Sequence, residues 1–211
     1  GSPSFVLDGN AILFITERYG MRAHASWGSL DDAMLVFLNQ DAYDKFRLSK
    51  EDYELYKEAN ADRKKIAEKD SSKVKDVVVE LKNIEDRIVR LTPNSSNMGS
   101  TLISKDGKTL YYLASAEGGR NLWKMDLRKK ETKLLHKVDA GWTSLEMDKE
   151  GKNLFILNGK NMQKMNMASD DLKPIKYLAQ VKLDLAAERE YMFDHVYKQQ
   201  QKRFYNTNMH G

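Results

Sequence analysis

The chain has no cysteine, which removes disulfide staples and thiolate-ligated zinc from its 211 residues and suits a reducing or an oxidising compartment equally. No apolar run approaches the length of a membrane span, and the first residues lack the basic-then-apolar order of a signal region. Charge of one sign is also missing. Charged residues make up 31%, but 35 Lys+Arg stand against 31 Asp+Glu, and acids interrupt nearly every basic run. Nucleic-acid binding wants its cations gathered on one face beside stacking aromatics, so this mixture argues against it. With 41% hydrophobic residues the chain can still bury a core as one large domain or two small ones.

What the sequence does contain is a repeat. Asp106-Gly107-Lys108-Thr109 followed by the apolar run Leu110 to Leu113 returns as Glu150-Gly151-Lys152-Asn153 followed by Leu154 to Leu157, a shift of 44 residues. Asp8-Gly9-Asn10-Ala11 followed by Ile12 to Ile15 is a third copy. An acidic-Gly pair suits a hairpin because glycine takes positive φ without steric cost. After the two later apolar strands come a Gly-containing loop and an alternating strand, NLWKMDL from Asn121 and NMQKMNM from Asn161. The first of these loops carries four extra residues around SAEGGR. Strands are predicted before each turn, at Ser100 to Ser104 and Trp142 to Met147, and after each alternating strand, in TKLLHKV and PIKYLAQV. Four short antiparallel strands per unit of about 44 residues is the β-propeller period. The fold class expected is therefore mainly β with helices: a partial propeller of about three four-stranded blades, with a helical insertion and a C-terminal helix.

Three blades do not close a ring, so both ends read as cuts in a longer protein, and an isolated piece is expected to self-associate or to pack its helices over an open blade face. The first blade departs from the pattern after its third strand, AMLVFL from Ala33 to Leu38. An insertion of about 40–72 follows, read as one long helix from Ser49 to Lys69 capped by Ser49 with Asp52, before a fourth strand at Asp76 to Lys82. The stretch from Lys82 to Ser96 then crosses to the next blade. Near Lys182 the period changes from 2 to 3.6. Asp184 can cap a helix whose apolar positions include Leu185, Met192, Phe193, Val196, Tyr197 and Phe204. The domains predicted are 1–182, the partial propeller, and 183–211, the start of a helical domain.

Reactive constellations are not evident. His24, His136, His195 and His210 are scattered, without the i, i+4 spacing of a metal pair. Ser29 lies near Asp31 and Asp32 but lacks a nucleophile elbow and a matched base, and the two aspartates read as turn or cap residues. Asp170 and Asp171 read as loop, Gly118-Gly119 as a tight turn, and Met162, Met165 and Met167 as strand packing. Arg120 and Lys160 fall on loops where propellers carry binding groups. No catalytic, cofactor-binding or metal-binding residue is assigned, and no cofactor is expected.

The blades FVLDGNAILFITERYG and LISKDGKTLYYLASAEGGRNLWKMDL, the connection VVVELKNIEDRIVRLT and the junction AAEREYMFDHVYKQQQKRFYNTNMHG resemble the tricorn-type serine peptidases, in particular the bacterial homologues of archaeal tricorn. The blade motifs are shared with TolB-like and prolyl-oligopeptidase-type propellers. The junction is more specific: Met192-Phe193-Asp194, Tyr197, Phe204-Tyr205 and Met209-His210-Gly211 follow the family's opening of the catalytic region, with Tyr197 where the family has Trp. The resemblance implies a parent enzyme that degrades oligopeptides in a large homo-oligomeric assembly. In it the propeller gates substrate access, and the nucleophile and its base lie beyond Gly211. It implies as partners peptide substrates and the remaining blades and catalytic domains of the same chain. The implied compartment is the cytoplasm, or the periplasm if a signal peptide precedes Gly1. The alternative is a TolB-like binding module for a protein or a glycan.

Overall fold

The computed structural model describes residues 3–22, 28–60, 76–116, 118–138, 141, 143–159 and 161–206. They form two compact units, 1–175 and 176–211. The first holds three four-stranded antiparallel sheets. Blade 1 comprises β1 (Ser4–Val6), β2 (Ala11–Thr16), β3 (Asp32–Phe37) and β4 (Ile88–Arg90). Blade 2 comprises β5 (Met98–Ile103), β6 (Thr109–Ser115), β7 (Arg120–Asp126) and β8 (Glu131–His136). Blade 3 comprises β9 (Thr143–Met147), β10 (Asn153–Asn158), β11 (Asn161–Asn166) and β12 (Leu172–Pro174). Within each blade the strands pair in chain order, as a propeller requires.

The second strand of the middle blade shows why its sequence is an unbroken apolar run. Along β6 successive side chains point to opposite faces, and both faces are covered. Leu110, Tyr112 and Ala114 pack against Ala11, Leu13, Leu35 and Phe37 of blade 1. Tyr111 and Leu113 pack against Leu145, Leu154, Ile156 and Met165 of blade 3. Each fully buried leucine contributes roughly 1.5–3 kcal/mol relative to exposure.

The repeated hairpins superpose bond for bond. The Gly9 N–H donates to the Val6 carbonyl, Gly107 to Ser104 and Gly151 to Asp148. Leu38 donates to the Asn10 carbonyl, Leu127 to Lys108 and Met167 to Lys152. The loop between β6 and β7 carries the extra residues, with Gly118 at φ 83°.

Three expectations are corrected. The insertion is two helices among its described residues, α1 (Gln40–Arg47) and α2 (Lys50–Ala59), and 61–75 lie outside the description. Asn39 caps α1 by accepting from the Ala42 N–H at 2.9 Å, a start the sequence reading missed because it began the helix at Ser49. Ser49 does cap α2, accepting from the Asp52 N–H at 3.0 Å. The fourth strand of blade 1 is Ile88–Arg90, and 76–81 form no strand. Buried Arg87 explains the displacement: its guanidinium donates to the carbonyls of Lys82 and Phe37 at 3.0 and 3.2 Å, and also to that of Glu80, gathering the 80–83 connection into a tight turn before β4. The last strand of blade 3 is only Leu172–Pro174, and 175–181 carry no regular structure.

The second unit contains α3 (Leu185–Arg203). Asp184 caps it as expected, accepting from the Ala186 and Ala187 N–H groups at 3.1 Å. Its apolar positions, Met192, Phe193 and Val196 among them, are exposed.

Candidate functional site

The first strand of each blade, β1, β5 and β9, lines one open cleft of about 1220 Å³. These strands occupy one edge of each sheet, so their backbone groups and their small side chains, such as Ser4, Ser100 and Thr143, shape its wall. The polar groups there stitch blade to blade. Asp31 exchanges both backbone hydrogen bonds with Ser96, at 2.8 and 3.0 Å, and its carboxylate accepts from the Met98 N–H at 3.3 Å, tying blade 1 to blade 2. Burial pushes the Asp31 carboxyl above its ordinary value, against that hydrogen bond, and the nearby Glu17 charge adds to the rise. Between β5 and β6 the register shifts between Met98 and Thr101, a bulge that aims Ser100 at blade 3, where its hydroxyl accepts from the Leu145 N–H at 3.1 Å. Arg120 opens β7 and spans the same junction, donating to Asn97 Oδ1 at 2.6 Å and to the Gly141 carbonyl at 2.9 Å. Arg120 is thus committed to holding loops. Glu146 is the exposed acid on this wall.

Asp32 is fully buried, against the expectation of a turn residue. Its carboxylate accepts from Arg90, at 2.8–3.0 Å, from Thr92 Oγ1 at 3.0 Å and from Ser95 Oγ at 2.9 Å. Oδ1 takes Arg90 and Thr92 and Oδ2 takes Ser95, partners some 60 positions away, which fastens β3 to the crossing into blade 2.

The remaining candidates do not converge. His136 Nε2 donates to the Asp170 carbonyl at 2.7 Å, and His195 stacks on Tyr191 at 6.0 Å between centroids. His24, His210 and Lys160 lie outside the described residues. The Ser29 N–H donates to Glu17 at 3.2 Å. Asp171 accepts from the Ser169 hydroxyl at 2.8 Å. The Gly119 carbonyl closes a turn by accepting from Ala116 at 3.1 Å. Met165 is fully buried and Met167 packs beside it, so both are packing residues. Asp170 forms an ion pair with Lys124 at 2.9 Å across the blade 2–blade 3 boundary. Burial is the largest influence and opposes charge on Lys124, yet the hydrogen bond to Asp170 together with the Asp170 and Tyr111 interactions outweighs it and holds the ammonium above the ordinary lysine value. Neither Lys124–Asp170 nor Asp32–Arg90 carries a local sequence signal, because each pair joins distant strands.

Among the described residues, serines hydrogen-bond carboxylates at Ser49–Asp52, Ser95–Asp32, Ser104–Asp106 and Ser169–Asp171, and no histidine joins any of them. Nor is there a group of His, Asp and Glu able to hold a metal ion among those residues. No helix among them is long and apolar enough to cross a membrane. The arrangement can shape a passage and present backbone groups; it offers no activated nucleophile.

No family model matches the sequence, and a comparison with curated proteins likewise finds no match. Solved structures do match. TolB from Acinetobacter baumannii is similar with a TM-score of 0.51 at 13% identity, over 84% of this chain and 32% of that one. The tricorn protease is similar with a TM-score of 0.60 at 9% identity, over 98% of this chain and 20% of that one. The chain therefore spans a third or less of these proteins. Together with the three sheets, these likenesses establish a β-propeller fold.

Proposed function

We propose that this chain is the non-catalytic, substrate-gating part of a tricorn-type serine peptidase, with α3 opening the helical part of the catalytic region. The observation that carries the reading is the cleft formed by the three first strands, whose Asp31, Ser100 and Arg120 hold neighbouring blades together instead of presenting reactive groups. A rigid ring built this way would act by steric exclusion, admitting unfolded or short peptides to a sheltered site. The likeness to the tricorn protease along 98% of the chain supports the reading, as do the residues of the 192–211 junction. On this reading further blades, the nucleophile and its base belong to the rest of the same protein. The assembly is homo-oligomeric and the compartment is the cytoplasm, or the periplasm if a signal peptide precedes the chain.

A second reading draws on the TolB likeness: a binding module that contacts a protein or a glycan through its loops. Cleavage of fluorogenic oligopeptides by the full-length protein and by this chain, with and without a serine-directed inhibitor, separates the two. Inhibitable activity in the full-length protein alone is the expected result. No activity in either would transfer the weight to the binding module.

A further inference from the structure

The outer side of blade 1 carries a feature that the axial cleft does not use. A groove of about 820 Å³ runs along β4, and every residue from 88 to 93 lines it. Residues of both parities contribute, although Leu91 and Val89 pack their side chains into the core, so what faces the groove is the strand's edge and not one of its faces. β4 is the terminal strand of its sheet, with β3 on one side and no strand on the other among the described residues. The Leu91 N–H donates to the Ala33 carbonyl, and Val89 pairs with Leu35. By the alternation of an antiparallel ladder, the N–H and C=O groups of Ile88 and Arg90 point away from β3.

The groove's walls are one-sided in charge. Arg47, Arg90, Arg128 and Lys130 line it, and among the described residues no carboxylate does. Arg90 is neutralised by Asp32, and Arg128 donates to the Leu48 carbonyl at 2.5 Å while stacking 3.8 Å from the Tyr53 ring centroid. Arg47 and Lys130 are exposed. Half-buried Phe46 and Val89 add apolar surface, with buried Leu91 and Met125 behind them. The chain's own 61–75 segment, ADRKKIAEKDSSKVK, has six Lys+Arg against three acids and is mismatched to such walls.

We propose that this groove binds an extended acidic segment of a partner polypeptide, which adds as a fifth strand to the free edge of β4. The main-chain groups of Ile88 and Arg90 would supply the pairing. The cations would select alternating Asp or Glu, and the apolar lining would take the intervening side chains. An oligonucleotide has the charge but not the peptide N–H and C=O groups that a strand edge requires.

The test is fluorescence anisotropy of the full-length protein with a labelled decapeptide of alternating glutamate and valine. Saturable binding is expected, weakening with added salt and lost when alternate amides of the probe are N-methylated. The double variant Arg47→Glu/Lys130→Asn should bind about ten-fold more weakly. Both sites are exposed, and asparagine suits the φ of 59° at Lys130, so folding is preserved. The N-methylated probe reports on wild-type protein and is independent of any variant's folding. Absent binding, or binding indifferent to N-methylation, would overturn the proposal. Tighter binding of a single-stranded oligothymidylate of equal charge would also overturn it, in favour of a nucleic-acid surface.

Discussion

Blades 2 and 3 share a sequence pattern but not an environment. Leu110 and Tyr112 of β6 have Leu154 and Ile156 of β10 as counterparts, and all four are buried against the preceding blade. The other parity differs. Tyr111 and Leu113 are buried against blade 3, whereas their counterparts Phe155 and Leu157 are only half-buried. Blade 1 mirrors this: Leu13 is covered by blade 2, while Ile12 and Phe14 on its other face are half-buried. The same apolar run thus serves a two-sided strand in the middle and a one-sided strand at each end. On the proposed reading, flanking blades would cover these half-buried faces.

The largest effect should come from the shared face. Leu110→Ala and Leu154→Ala should each cost about 2–5 kcal/mol in chemical denaturation, since both side chains are fully buried. The unshared face should then split the blades: Tyr111→Ala costs about 3–5 kcal/mol, and Phe155→Ala well under half of that in this chain. In the full-length protein the Phe155 cost should rise to the Tyr111 range. Equal costs in this chain would remove the distinction.

The hairpin turns come next. Gly107 and Gly151 sit at φ 70° and 73°, so alanine at either position should cost about 1–2 kcal/mol. Gly151→Ala should be the worse, because the new Cβ would meet Lys105 Cβ at 2.9 Å, whereas at Gly107 it meets the movable tip of Leu7.

The smallest effects are titrations, and they differ in sign. Blade 2 braces its turn with Ser104 and Asp106; blade 3 uses Asp148, the counterpart of Ser104, which accepts from the Asn153 and Lys152 N–H groups at 3.0 and 2.7 Å. Asp148 is held below the ordinary aspartate value of 3.8 chiefly by the Asn153 N–H. At Asp106 burial pushes upward, but bonds from Ser104 and Lys108 prevail and its value is also lowered. Their stabilisation is complete above pH 3.8 and disappears as the pH falls through the lowered values. Asp31 is raised, so its contribution favours the fold at low pH and is lost as the pH rises from 3.8 through the higher folded value. In melting curves Asp148→Asn should flatten the acid limb, and Asp31→Asn should help more at pH 7 than at pH 4.

The sequence displayed the blades because their signals are local: a positive-φ glycine, a short apolar run and an alternating strand recur within a few residues of one another. The cap at Asp184 and the packing roles of Met165 and Met167 were legible for the same reason. The short end strands were not. Val77, Val78 and Val79 read as β-formers but lie exposed outside any strand, while Arg87 fixes the turn that puts Ile88–Arg90 beside β3. Likewise, the links that shape the axial cleft join Asp31 to Met98, Ser100 to Leu145 and Arg120 to Gly141, distances in sequence that no local pattern reports.

A passive passage discriminates by the length of the peptide that must thread it. In the full-length protein, kcat/KM would be measured across oligopeptides of increasing length for wild type and for Ser4→Trp, which places bulk at an exposed position of the cleft wall, on the face of β1 shared with its partner Leu13. A loss of about ten-fold for long peptides and less than about two-fold for the shortest is expected if the cleft is that passage. An equal loss at every length, or no loss at any, would contradict it.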